Sequence, residues 1–453
     1  MKKLIGRLIS SNPKLDYLCN TLYALPYQRQ MKKAFRDYYR FLEEAQYYSA
    51  DRLKELQFEK LLQTLHYAYS NSPFYKNLYD EHGVNIKSIK SFGDFKKQIP
   101  LVKKDMLKNA GDLTVVSERL DIATTSGTSG SPFQFYTDLV GNEINKAAIY
   151  HQWAQAGFYP HDKRIEIRGI QSAPIAKVPG ENVFRFSAVN MRDNIKEMIR
   201  FMNDSRIKYI HGYPSAIAKL CLLLRDNKLA VDYQIKGVFL ASENVYEWQV
   251  DIINDCLMPE NIIAHYGCAE RIALGSWCKT NKVYHFNPLY GYLEKGELGN
   301  VIGTGFINKA TPFIRYQMND MLLDWSDSPC PECGRGYTPL VTKIGGRLED
   351  YLVDEKDELI PPAVVTFPFK NLKVITSVQI VQTKDKDVIL NCIVNKNGNG
   401  LVLEKEKNKL SFEFKKLLGQ SIDIHFNEVD EIKLTDSFKF KWIVSEAVKP
   451  QID

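Results

Sequence analysis

The chain has 453 residues, 44% apolar and 25% charged, with a net charge of +6. That length exceeds one ordinary core and predicts two or more domains, while the composition excludes a disordered or fibrous chain. No Lys/Arg block dominates, which argues against a nucleic-acid binder, since phosphate affinity needs clustered cations.

The first residues, Met1-Lys2-Lys3-Leu4-Ile5-Gly6-Arg7-Leu8-Ile9, begin like a signal peptide, but Arg7 breaks the apolar run and no cleavage site follows. They read as a helix start, packed on its own domain or lying peripherally at a membrane. No stretch reaches the ~18 apolar residues of a membrane span, and eight cysteines in a chain this long without a secretion signal fit a reducing cytoplasm. Residues 1–110 read as mostly helical: Leu53, Leu56, Leu61, Leu65 and Ala68 recur at helical spacing between charges.

From about 115 to 300, short strands alternate with helices. Residues 133–137 read as a strand before a helix that runs through Trp153. Residues 164–168 alternate as a half-exposed strand would. Residues 207–210 lead through Gly212-Tyr213-Pro214 into a helix over 215–224, with Ser215 near its N-cap. Residues 238–240 and 262–265 are further strands. This alternation predicts an α/β domain with ligands near strand ends. Residues 351–453 change character: strands over 374–381 and 388–394, a helix over 401–418 ended by Gly419, then alternation at Ile422, Ile424 and Phe426. That is a compact α+β unit. The boundary falls in Gly345-Gly346-Arg347-Leu348-Glu349-Asp350, giving domains 1–346 and 347–453 with a hinge near 347–351.

Five motifs punctuate this organisation. Thr124-Thr125-Ser126-Gly127-Thr128-Ser129-Gly130-Ser131-Pro132 has the glycines and hydroxyls of a phosphate cradle, without the Gly-Lys-Ser/Thr ending of a Walker loop. Alone, such a composition is more often an ordinary loop. His265-Tyr266-Gly267-Cys268-Ala269-Glu270 follows a strand, and a carboxylate there suits Mg²⁺. Pro312-Phe313-Ile314-Arg315-Tyr316-Gln317-Met318-Asn319-Asp320 ends in an Asp suited to ribose hydroxyls or to a turn. Gly346-Arg347-Leu348-Glu349-Asp350 stands at the boundary, and Ser437-Phe438-Lys439-Phe440-Lys441-Trp442 near the C-terminus.

In this order and spacing the five motifs resemble the adenylate-forming superfamily, most closely its phenylacetate–CoA ligase family and the branch associated with capsular polysaccharide synthesis. The resemblance covers nearly the whole chain. It implies an α/β fold with a large N-terminal adenylate-forming domain, its first segment helical, and a small mobile α+β C-terminal domain. It places Ser126, Gly127, Thr128, Ser129 and Gly130 around the β- and γ-phosphates of ATP, and Ser242 and Glu243, after Ala241, beside the adenine. Tyr266 and Gly267 sit by the nucleotide. Glu270 matches the Mg²⁺ carboxylate, Asp320 the ribose contact, Arg347 a second nucleotide contact, Glu349 the hinge and Lys439 the mobile catalytic lysine. His211 and Tyr213 are candidates to touch the acid, against packed core roles. Two departures stand out: Ser131-Pro132 follows the loop where the family often has Lys, and Phe438 precedes Lys439 where it has Gly.

The resemblance implies an acid activated as its acyl-adenylate and passed to an acceptor. An amine acceptor in surface polysaccharide assembly is the first reading, CoA the alternative, and a degenerate nucleotide-binding scaffold the third.

Of eight cysteines, Cys278, Cys330 and Cys333 join His285 in a Cys-x6-His and Cys-x2-Cys pattern that suits closed, structural Zn²⁺. Some members of the resembled family carry this arrangement. Unmetallated thiols and a redox CxxC are the alternatives, the latter without a thioredoxin-like context.

Overall fold

The computed structural model describes residues 31–107, 115, 120–124, 134–167, 173–178, 181–188, 191–243, 245, 247–296, 300–345, 352–360, 365, 367–369, 372–395, 398–430 and 443–447. The N-terminal segment 1–30 lies outside them, as do Ser126, Gly127, Thr128, Ser129 and Gly130 of the loop, Arg347, Glu349 and Lys439. The chain divides into two compact units, Met1–Ala123 with Phe135–Arg347 and Thr124–Gln134 with Leu348–Asp453.

Helices α1 (Lys33–Ala45), α2 (Ala50–Asn71), α3 (Pro73–Glu81) and α4 (Phe92–Gln98) open the first unit. The helical spacing in α2 puts Leu53, Leu61, Leu65 and Ala68 on one buried face. Ser49 caps it, its hydroxyl accepting from Arg52 N at 3.2 Å. Strands β1 (Leu120–Thr124) and β2 (Gln134–Asp138) pair as a ribbon. Asp138 then caps α5 (Leu139–Trp153), its carboxylate accepting from Gly141 N at 2.7 Å.

The chain continues through β3 (Arg164–Ile167), β4 (Ile175–Lys177), β5 (Val183–Phe186), α6 (Met191–Ser205), β6 (Tyr209–Gly212), α7 (Pro214–Asp226), β7 (Gly237–Ala241), α8 (Glu247–Leu257), β8 (Asn261–Gly267), β9 (Leu274–Trp277) and β10 (Tyr284–Phe286). It then enters β11 (Gly291–Lys295), β12 (Asn300–Gly305), β13 (Tyr316–Leu323), β14 (Leu340–Val341) and β15 (Lys343–Gly345). The central sheet has the order β14-β10-β9-β8-β7-β6-β3-β5-β4. Its middle five strands, β5-β3-β6-β7-β8, are parallel, and antiparallel strands flank them. Strands β11-β12-β13-β15 form a second, antiparallel sheet.

Helix α5 lies on one face of the parallel strands. Trp153 stacks on Phe239 with centroids 4.6 Å apart, and Tyr150, Phe158, Tyr209 and Ile263 complete that core. Burial of this kind explains the nearly continuous apolar runs of β6, β7 and β8.

Two expectations need correction. The strand at 164–167 is buried at all four positions, not half-exposed. Its charged residues alternate because Arg164 and Glu166 satisfy each other inside, at 3.1 Å, and not because one face meets water. The helix read from 215 opens one residue earlier: Ser215 does lie near the N-cap, the cap residue is Tyr213, and Pro214 takes the first helical position, where a missing N–H is no loss. The preceding strand also runs two residues further than read, so Gly212 closes β6. A Cβ there would stand 2.7 Å from the Ile167 carbonyl oxygen, and only glycine lets β6 approach β3 this closely.

The second unit contains a hairpin, β16 (Leu352–Val353) with β17 (Leu359–Ile360), and a sheet of order β20-β19-β18-β21. Its strands are β18 (Ile375–Gln382), β19 (Val388–Val394), β20 (Ile424–Glu428) and β21 (Ile443–Ser445), with α9 (Gly400–Leu418) between β19 and β20. Gly419, at φ +117°, ends α9 as read. The fold is α/β with a separate α+β C-terminal unit that has its own sheet.

Candidate active site

Parallel strands leave their carboxyl ends on one edge of the sheet, and ligands of open α/β sheets bind there. β8 ends in Tyr266 and Gly267, β7 gives way to Ser242 and Glu243, and β6 carries His211 and leads into Tyr213. Glu270 lies in the turn after β8. Seven residues that the sequence scatters over 60 positions thus share one edge.

Tyr266 makes the decisive contact. Its hydroxyl donates to Asp320 Oδ2, on β13, at 2.6 Å. Burial, and then the Asp320 charge, push this phenol well above its usual range, so it stays a donor. Its ring packs on Phe286 at 5.6 Å. Glu270 is buried, and the neighbouring Cys268 thiol is pushed up to about 12 by burial and by the Glu270 charge. A buried carboxylate just past a strand end is the kind of side chain that holds Mg²⁺ together with phosphate oxygens. Ser242 takes φ +70°, a left-handed turn that carries the chain away from the strand end.

His211 is buried in β6. Its Nδ1 stands 3.6 Å from Glu166 Oε1, and its ring lies 4.7 Å from Trp153 and 5.9 Å from His265. Trp153 Nε1 in turn donates to His265 Nδ1 at 3.4 Å. Glu166 accepts from Arg164 Nη2 and Arg185 Nε, each at 3.1 Å, and Arg164 also reaches the Tyr150 hydroxyl at 3.1 Å. Sequence reasoning missed Glu166, Arg164 and Arg185. The available signal was a strand with charges at i and i+2 inside an α/β run, a pattern expensive to bury without partners.

The metal cluster assembles at a second place in the first unit. The ligand atoms of Cys278, His285, Cys330 and Cys333 all lie within 4.8 Å of one another. Cys278 and His285 meet because β9 and β10 form a tight hairpin, with Cys278 N donating to Val283 O at 2.8 Å. Gly334, at φ +69°, turns the chain after Cys333. Gly336 N then donates to Gln46 O at 3.0 Å. Burial, aided by the Arg335 charge, lowers His285 to about 4, which keeps a ring lone pair available. Three thiols and a neutral imidazole at this separation fit a tetrahedral zinc shell.

Among the described residues, no helix is long and apolar enough to cross a membrane.

Comparison with known proteins places these observations. Residues 352–446 match the family model of the CapK C-terminal domain. Protein CapK of Staphylococcus aureus is 22% identical over 417 residues, covering 87% of this chain and 89% of that protein. The phenylacetate–coenzyme A ligase of Thermus thermophilus is 26% identical over 363 residues, 74% of this chain and 79% of the relative. Among solved structures, 2-hydroxyisobutyryl-CoA ligase in complex with 2-HIB-AMP and CoA aligns with TM-score 0.60 at 19% identity, over 89% of this chain and 92% of that one. At that identity the likeness speaks to the fold.

Proposed function

We propose that the chain, similar to CapK and to phenylacetate–CoA ligases, is an adenylate-forming ligase of that family and activates an acid as follows. The carrying observation is the Tyr266–Asp320 hydrogen bond, which joins two motifs 54 residues apart at the edge where nucleotide would lie. A substrate carboxylate attacks the α-phosphorus of ATP and displaces pyrophosphate, leaving an acyl-adenylate. The barrier is largely charge crowding, so the protein's part is positioning and countercharge.

In this reading Asp320, oriented by Tyr266, accepts the ribose hydroxyls. Ser242 and Glu243 border the adenine, with Gly267 beside it. Ser126, Gly127, Thr128, Ser129 and Gly130 surround the β- and γ-phosphates, and Arg347 adds a nucleotide contact. Mg²⁺, when bound, would neutralise phosphate charge, and Glu270 would hold it. Lys439 places its ammonium between carboxylate and α-phosphate. Glu349, in a hinge at 347–351 between domains 1–346 and 347–453, lets the small domain withdraw that lysine before the acceptor enters. His211 and Tyr213 line the acid side. Cys278, His285, Cys330 and Cys333 would hold a structural Zn²⁺, closed to substrate because all four positions are protein ligands.

For the acceptor we take first an amine, giving an amide in surface polysaccharide assembly in the cytoplasm, the reading that goes with the capsular-polysaccharide branch the motifs resemble. The second reading, the thiol of CoA, is supported by the ligase relatives. ATP–pyrophosphate exchange over a panel of carboxylic acids tests activation. Exchange that survives Lys439→Ala rejects the assigned lysine, and absence of exchange with every acid rejects adenylation. CoA-dependent turnover separates the two acceptors.

A further inference from the structure

The sheet order β8-β7-β6-β3-β5 sets the strand ends in a row. Tyr266 and Ser242 occupy the nucleotide side, His211 comes next, and Glu166 and Arg185 lie beyond it. Glu166 is in register with His211 on one neighbour and with Arg185 on the other. Adjacent strands are about 4.8 Å apart, so the Arg185 backbone stands about 10 Å beyond that of His211. An acid that lies over His211 and extends away from the nucleotide points its far end at Arg185.

The Arg185 guanidinium is held by one bond, Nε to Glu166 Oε2 at 3.1 Å. Its two Nη groups have no hydrogen-bond or ion-pair partner among the described residues, and the side chain is 41% exposed. Glu166 does not need it for neutralisation, because the buried Arg164 already binds Oε1. The result is a guanidinium held along one edge through Nε, with the remaining N–H donors of the fork on a side chain that is partly open to solvent. That geometry suits bidentate binding of a planar or tetrahedral oxyanion. An apolar tail would gain nothing there and would strip water from unused donors.

We propose that Arg185 is a specificity residue that takes a second oxyanion, carboxylate or phosphate, at the far end of the acid. The inference rests on the reading of β6 as the acid side, and it makes the substrate a doubly anionic acid, not an aryl or alkyl monoacid. Glu166 is then a positioning residue that aims the fork.

The test uses the full chain with adipate, 5-phosphonopentanoate and hexanoate, which share a carboxylate and the same run of methylenes. Affinity is measured by calorimetry in the presence of a non-hydrolysable ATP analogue, and pyrophosphate release is measured separately with ATP. The wild type binds one of the dianions at least about 10-fold more tightly than hexanoate, and the tighter one assigns carboxylate or phosphate. Arg185→Met removes that preference, weakening the dianion about 10- to 100-fold while hexanoate changes little. Arg185→Lys restores part of it, and analogue affinity with the urea midpoint checks that each variant is folded. Equal affinity for hexanoate and the dianions, no binding of either dianion, or a preference intact in Arg185→Met overturns the assignment. Arg185-dependent binding without pyrophosphate release rejects adenylation and leaves Arg185 standing. Release that ignores Arg185 does the reverse.

Discussion

Replacing Tyr266 by Phe removes a single oxygen and keeps the ring against Phe286. The bond lost is the 2.6 Å contact from an enclosed phenol to the Asp320 carboxylate. Because burial and Asp320 hold the phenol well above its ordinary range, it donates throughout the neutral region. A hydrogen bond to a charged group is worth about 1.5–3 kcal/mol. At about 1.4 kcal/mol per tenfold, ATP affinity falls roughly 10- to 100-fold if the phenol orients Asp320 for the ribose. Calorimetric titration with a non-hydrolysable ATP analogue measures this on the wild type, Tyr266→Phe, Asp320→Asn and the double variant. The two changes are expected to be non-additive by about 1 kcal/mol or more, since both remove the same contact. A Tyr266→Phe protein that binds nucleotide like the wild type, or a strictly additive cycle, refutes the pairing as the nucleotide-orienting device.

Three further perturbations follow from the geometry. Gly212→Ala brings a Cβ within 2.7 Å of the Ile167 carbonyl oxygen, so β3 and β6 must part; a loss of about 1–3 kcal/mol is expected in urea unfolding, together with weaker acid binding. Treatment with a strong chelator, or Cys330→Ser, should release close to one zinc per chain by elemental analysis and lower the melting temperature; a purified protein without zinc rejects the metal reading. His151 is lowered to about 3 by burial and then by the Arg335 charge, against about 6.5 in the unfolded chain. Its contribution is therefore complete above pH 6.5 and is lost as pH falls toward 3, roughly 2 kcal/mol by pH 5. His151→Phe, which keeps a ring against Tyr39, should flatten that part of the stability–pH curve; an unchanged slope between pH 6.5 and 5 would show that His151 does not titrate there.

Much of the architecture was legible because local periodicity reports burial directly. The helical face of Leu53, Leu61, Leu65 and Ala68 is buried on α2. The apolar runs ending at Ala241 and at His265 belong to central parallel strands, the first buried throughout and the second buried at Ile263 and Ala264. The strand of 164–167 was misread because alternation of charge is ambiguous. It marks a solvent face or a buried ion pair, and only the partner decides. The start of α7 differs by one residue for a local reason: Pro214 already fixes the backbone at the first helical position, just ahead of Ser215.

At the site the division is sharper. Order and chemistry of the motifs determined which residues to suspect, because Tyr266, Asp320, Glu270 and the Cys/His set each carry a recognisable donor pattern along the chain. Their meeting is a tertiary fact. Tyr266 reaches Asp320 because β8 and β13 bring together residues of two different sheets. Cys278 and His285 join Cys330 and Cys333 because a hairpin and a distant turn converge. The row of His211, Glu166 and Arg185 is the clearest case. β6, β3 and β5 are neighbours in the sheet although their chain order is β3, β5, β6. A one-dimensional pattern cannot carry that reordering, since lateral pairing is set by how helices pack over both faces and not by spacing along the chain.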